Sequence, residues 1–236
     1  QKKFLPQVLA LSEDYSINQL MPLMAKGNSA TESEKLEAAK TMSRFSGISE
    51  KAIMSYNLDV PTTFFWKELL REEGFTIGRL DSRYKGIDKI AGGDRPDYWA
   101  ELTSWNHSFA PAINYYFKNV LKFETDVKYN LFGPVYPWDW KNNNSGESLR
   151  KAMAANPYLH TMIQSGYYDG ATRYFDAKYT MWQLDPSGKM KDRLSFEGYR
   201  SGHMMYLREV DLIKSNSDIR KFIKKTTPSS TKPAKY

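Results

Sequence analysis

RLSFEGYRSGHMMYL, residues 193–207, is the stretch on which the fold turns. Its first seven residues make a strand-like run, after which glycine and then His203 break the pattern. Upstream, LHTMIQSGYYDG (159–170) has the same layout: a compact apolar run, a glycine, then an ionisable side chain, Asp169. Between the two runs, residues 171–184 carry Phe175, Tyr179 and Trp182 at helical spacing, and DPSGK is a turn. Residues 206–224 read as a further helix, and GESLRKAMAA (146–155) as one that ends at Asn156-Pro157. The order helix, strand, helix, strand, helix predicts an α/β fold with a parallel pair and a right-handed crossover. Parallel sheets are buried on both faces, and two strands do not stand alone. The rest of the chain offers no convincing strand, so the pair reads as part of a sheet whose other strands lie elsewhere.

The first third has helical punctuation instead. Residues 12–25 predict a helix. TESE (31–34) is a capping box with Thr31 as N-cap and Glu34 three residues on, and Gly47 is a stop. Ser49 caps a short helix through Tyr56, and Pro61 opens another that Gly74 ends. AGGDRPD marks residues 75–100 as loop-rich. Residues 104–123 predict a helix after Pro111, and 124–145 an irregular segment containing FGPVYPWDW. That aromatic stretch would line a pocket for apolar side chains or pack between two parts of the fold. TTPSSTKPAKY, residues 226–236, has the composition of a disordered tail.

Composition narrows the function. With 41% hydrophobic and 14% aromatic residues in 236, a sizeable core is expected. The formal net charge of +7 arises from 34 Lys+Arg against 27 Asp+Glu with the signs interspersed, and no run of five basic residues occurs. That pattern fits a mixed solvated surface better than a nucleic-acid groove. There is no cysteine, which excludes disulfides, thiolate metal sites and a cysteine nucleophile. No apolar run is long enough to span a membrane. The start, QKKFLPQVLAL, lacks the long apolar region of a signal peptide and reads as a cut end within a longer protein, or as a mature start.

Chemistry is expected at the two strand ends. In an open α/β sheet the carboxyl edge of the strands is where ligands bind. An acid after one strand and a histidine after the next can meet there. The carboxylate would fix the imidazole tautomer and the imidazole would serve as general base. The order Asp169…His203 suits a triad whose nucleophile comes earlier in the chain. Taken singly, an aspartate in a Tyr/Gly turn is a turn former and a histidine among apolar residues is structural; it is the pairing at successive strand ends that points to function. His107 and His160 lack neighbours at ligand spacing, so no metal is expected. Asp81 and Arg83 in GRLDSRYKG read as a structural pair, or as a rim contact to substrate.

GYYDGATRYFDAKYT and YRSGHMMYL resemble the Asp and His segments of the serine carboxypeptidase family, most closely its bacterial carboxypeptidase-related branch. LLREEGFTIGRLDSRYKGID and LRKAMAANPYLHTMIQSGYYD are similar to that branch as well, and the resemblance spans most of residues 10–225. It implies an α/β-hydrolase fold: a mostly helical lid insertion over residues 1–140, then the C-terminal part of the core over 141–225. It implies that Asp169 is the triad acid, that His203 is the base, and that Met204 lies by the pocket for the leaving residue. It implies a peptide substrate, no cofactor, and a periplasmic or secreted location. The family's nucleophile sits in Gly-Glu-Ser-Tyr-Gly/Ala-Gly on a sharp turn, and this chain has no G-x-S-x-G. GESL (146–149) shares three letters, but Leu149 and Arg150 replace the aromatic and the glycine that a tight elbow needs, which argues against Ser148. The expected partner is therefore an N-terminal segment of the same protein that carries the serine, the oxyanion donors and the carboxylate-binding groups. A related esterase or acyltransferase would use the same triad, and a non-catalytic basic binding fragment is the reading outside enzymology.

Overall fold

The computed structural model describes residues 5–134, 137–139, 141 and 143–228. The chain is a mixed α/β protein, 55% helical with small sheets. It divides into two compact units: Gln1–Gly78 with Lys85–Tyr98, and Arg79–Tyr84 with Trp99–Tyr236. The tail expected at 226–236 lies outside the described residues from 229 onward, and Thr226 is still helical.

The first unit is built from helices α1 (Leu5–Tyr15), α2 (Met21–Ala25), α3 (Glu32–Ser46), α4 (Glu50–Ser55) and α5 (Thr62–Glu68). A wide π-type turn, Ser16–Leu20, joins the first two, so helix begins earlier than residue 12. The caps of α3 and α4 fall where the sequence puts them, but the helix after Pro61 ends at Glu68, and Gly74 instead closes a separate 3₁₀ turn, Arg71–Glu73. Thr31 Oγ1 accepts from Glu34 N while the Glu34 carboxylate accepts from Thr31 N, closing the box at the head of α3. Gly47 ends α3 at φ 83°, a left-handed conformation that glycine adopts without strain. Ser49 Oγ accepts from Ala52 N at the head of α4. Ala38, Ala39, Ile48, Ile53 and Leu58 form the core, with Leu20, Met42, Phe65 and Leu69 packed against it. Two-residue strands β1 (Thr76–Ile77) and β2 (Lys85–Gly86) pair antiparallel, a ladder too short for hydrophobic periodicity to show. Buried Lys67 is matched by Asp88 and donates to the Ile90 carbonyl at 2.7 Å, which ties the segment just before AGGDRPD to α5.

The second unit contains helices α6 (Ala100–Tyr115) and α7 (Ser145–Ala155), strand β3 (Thr161–Gly166), helix α8 (Tyr174–Leu184), strand β4 (Leu194–Tyr199) and helix α9 (Glu209–Thr226). Helix α6 starts before Pro111 and runs through it. Burial of Ala100, Glu101 and Trp105 anchors its first turns and overrides the local cost of the proline. Strands β3 and β4 are parallel, in register from Thr161↔Leu194 to Gly166↔Tyr199. Residues 161–165 and 194–198 are only half-buried; full burial is reached at Gly166 and Tyr199. On α8 the buried residue is Met181, not the aromatic stripe; Phe175 and Trp182 meet edge to face 6.0 Å apart at the surface. In FGPVYPWDW, Phe132 and Trp138 are exposed, and Val135, Tyr136 and Trp140 lie outside the described residues.

Helix α9 turns its polar side inward. Buried Asp218 accepts from Tyr199 Oη at 3.1 Å and Lys214 Nζ at 2.6 Å, and Gln164 of β3 donates to Tyr199 Oη at 2.7 Å. Buried Asp211 accepts from Ser201 Oγ and, at 2.9 Å, from Arg208. Meanwhile Val210, Ile213 and Ile223 are exposed. Among the described residues, no helix is long and apolar enough to cross a membrane.

Candidate active site

The backbone ladder does not stop with the strands. Tyr167 N donates to Tyr199 O at 2.9 Å and Tyr168 N to Ser201 O at 3.0 Å, so the loops after β3 and β4 leave the sheet side by side. This zipper brings Asp169 and His203 together. His203 Nδ1 lies 2.8 Å from Asp169 Oδ2. The carboxylate accepts only, so the shared proton belongs to Nδ1 and Nε2 is left as the basic nitrogen.

The two side chains differ in exposure. That of Asp169 is 5% exposed and that of His203 46%. Asp169 is fixed from its other oxygen: Oδ1 accepts from Ala171 N at 2.8 Å and Thr172 N at 3.0 Å. These bonds make Asp169 a turn former as well as the partner of the histidine, so one carboxylate does both jobs. The imidazole is thus half-exposed while its partner is buried. Met204, next in the chain, is half-buried and begins the single turn Met205–Leu207.

A third segment completes the site, and sequence reading did not place it there. Arg79–Tyr84 runs across both loops: His203 N donates to Leu80 O at 2.7 Å, Gly170 N to Arg79 O at 2.9 Å, and Ser82 N to Tyr168 O at 2.9 Å. Asp81 is buried and held by Arg83, whose Nε and Nη2 donate to its two oxygens at 2.8 and 2.5 Å. Arg83 Nη1 also donates to Arg200 O at 2.8 Å, and its guanidinium lies over the Tyr168 ring. The sequence offers Asp81 and Arg83 of GRLDSRYKG as a structural pair or as a rim contact to substrate, and does not show that this segment packs on the His203 backbone.

Close packing explains the glycine before the histidine. A Cβ on Gly202 would lie 2.6 Å from Asp81 Cβ and closer still to Leu80 O. Gly202 is there to admit the 79–84 segment. Gly166 is under the same constraint: a Cβ there would fall 2.7 Å from the Gly202 carbonyl carbon.

Beneath the segment sits Glu101, fully buried at the start of α6. Its Oε1 accepts from Leu80 N at 2.7 Å. Its Oε2 finds no hydrogen-bond partner among the described residues. Burial raises the carboxyl above the ordinary glutamate range, only partly opposed by the backbone N–H groups of Leu80, Glu101 and Arg79, and the nearby Asp81 charge adds to the rise.

The remaining candidates lie apart from this arrangement. Ser148 is an exposed residue inside α7, and Glu147 beside it pairs with Arg150 at 2.7 Å, so GESL is a helix start and not a strand-to-helix elbow. His107 is exposed on α6, and His160 Nδ1 meets its near neighbour Tyr158 O at 3.0 Å. Among the described residues no group of three His, Asp or Glu gathers at metal-binding distance. Comparison of the chain with protein-family models, with curated proteins and with solved structures finds no match in any of the three.

Proposed function

We propose that this chain is the C-terminal part of a serine carboxypeptidase with an α/β-hydrolase core. In this reading Asp169 and His203 are the acid and base of a Ser-Asp-His triad. The observation that carries it is the 2.8 Å contact between a buried, backbone-anchored carboxylate and a half-exposed imidazole, at the ends of adjacent parallel strands. Buried acid, exposed base and a fixed tautomer are what proton transfer from a hydroxyl requires.

The serine comes from a segment that precedes this chain in the protein. Two physical features support that. A two-stranded parallel sheet with half-buried faces wants further strands. The exposed Val210, Ile213 and Ile223 of α9 want a cover. In the assembled enzyme, His203 Nε2 takes the serine proton as the oxygen attacks the carbonyl of the last peptide bond. The same proton then passes to the leaving amine, and water repeats the sequence to free the acyl group. Met204 flanks the pocket of the departing residue. The enzyme works in the periplasm or outside the cell.

Co-expression of this chain with its upstream segment tests the reading. A blocked dipeptide should lose its terminal amino acid, and His203→Ala should abolish the release. Near-normal release by His203→Ala ends the proposal.

A further inference from the structure

One fully buried carboxylate has no part in the chemistry above, yet it touches the segment that holds the histidine. Glu101 Oε1 accepts from Leu80 N at 2.7 Å; Leu80 O in turn accepts from His203 N at 2.7 Å. A single residue thus transmits the position of Glu101 to the backbone of His203. The same segment fixes the other half of the pair, since Arg79 O accepts from Gly170 N, next to Asp169. Gly202 has no room for a side chain because the segment presses against it.

Burial makes Glu101 costly. A carboxyl group out of water with one oxygen unpartnered costs stability, and an apolar residue of similar size would avoid that cost. Its bond to Leu80 N supplies an acceptor that no apolar residue can supply. Leu80 sits between two groups that must be in place at once, so an acceptor at this point sets the register of the strap on both loops.

We propose that Glu101 is a positioning residue for the Asp169–His203 pair, acting through Leu80. This rests on reading that pair as acid and base, but it is tested without turnover. Without the Leu80 N–H acceptor the strap shifts, the His203 backbone loses its anchor, and the imidazole leaves Asp169 for the Nε2–H tautomer. Glutamine keeps an acceptor oxygen at the same distance, so it keeps the pair. Aspartate is one methylene too short to reach.

The test is ring nitrogen-15 NMR on the full 236-residue chain carrying labelled histidine, together with amide exchange. The wild-type protein and Glu101→Gln should show His203 as the Nδ1–H tautomer. Glu101→Leu and Glu101→Asp should show the Nε2–H form, with exchange protection at His203, Gly170 and Ser82 falling about tenfold, the worth of one hydrogen bond. Protection along β3 and β4 should stay as in the wild type. Retention of the Nδ1–H tautomer in folded Glu101→Leu or Glu101→Asp overturns the proposal. So does collapse of the whole fold in all three variants, which would make Glu101 a general support and not a positioning group. A wild-type chain with the Nε2–H tautomer would instead refute the acid–base pair itself, which keeps the two failures apart.

Discussion

His203 Nδ1 is 2.8 Å from Asp169 Oδ2, while Asp169 Oδ1 accepts from the backbone of Ala171 and Thr172. The two oxygens therefore separate fold from chemistry. Asp169→Asn can keep the backbone bonds through its carbonyl oxygen and turn its amide toward the histidine. The expected result is a fold of unchanged stability with the opposite imidazole tautomer, and turnover of the assembled enzyme lower by ~10⁴-fold, as in other triads. Asp169→Ala removes both functions and should also cost about 1–3 kcal/mol in urea unfolding, because two buried N–H groups lose their acceptor.

Gly202→Ala puts a methyl group against the Asp81 side chain and the Leu80 carbonyl. Overpacking of this kind costs about 1–3 kcal/mol. The displacement should appear at residues 79–84 and disturb the His203 tautomer. Unchanged stability with an unchanged tautomer would show that the site tolerates a side chain there.

Glu101 makes stability depend on pH in a definite direction. Burial raises its carboxyl above the ordinary value of 4.5. As pH rises above that value, the unfolded chain releases the proton while the folded chain still holds it. Stability is therefore lost as pH rises through the folded value. Glu101→Gln does not titrate. Urea unfolding from about pH 4.5 to neutrality should show the wild type losing stability relative to Glu101→Gln; a gain would reverse the sign of the argument.

The exposed apolar side of α9 yields a prediction of a different kind. Ile213→Glu and Ile223→Glu should change the stability of this chain by no more than about 0.5 kcal/mol, because both residues are more than half exposed. The same changes should weaken association with the upstream segment. Strong destabilisation of the isolated chain would mean that these side chains are already packed.

Much of this was legible in the sequence where the signal is local. Thr31, Glu34, Gly47 and Ser49 act through neighbours within four residues, so their caps could be read directly. The two strands, the helix between them and the Asp169–His203 pairing followed from an apolar run, a glycine and an ionisable residue occurring twice. What could not be read depends on distant contacts. Nothing in GRLDSRYKG shows that Leu80 reaches His203, over a hundred positions on, or that Gly202 is small because of it. Glu101 has no motif, because its role depends on burial. Buried Asp211 and Asp218 on α9 reverse the usual pattern of apolar inside and polar outside, so periodicity gave the helix but not the face it buries.

The most direct measurement is labelling with a serine-directed phosphonate. The 236-residue chain alone, the chain with its upstream segment, and the same pair carrying His203→Ala would be treated in parallel, and the labelled peptide identified by mass spectrometry. The account predicts no label on the chain alone, label on a serine of the upstream segment in the pair, and loss of that label with His203→Ala. Label on Ser148 or any other serine of this chain, or labelling of the pair that does not depend on His203, would contradict it.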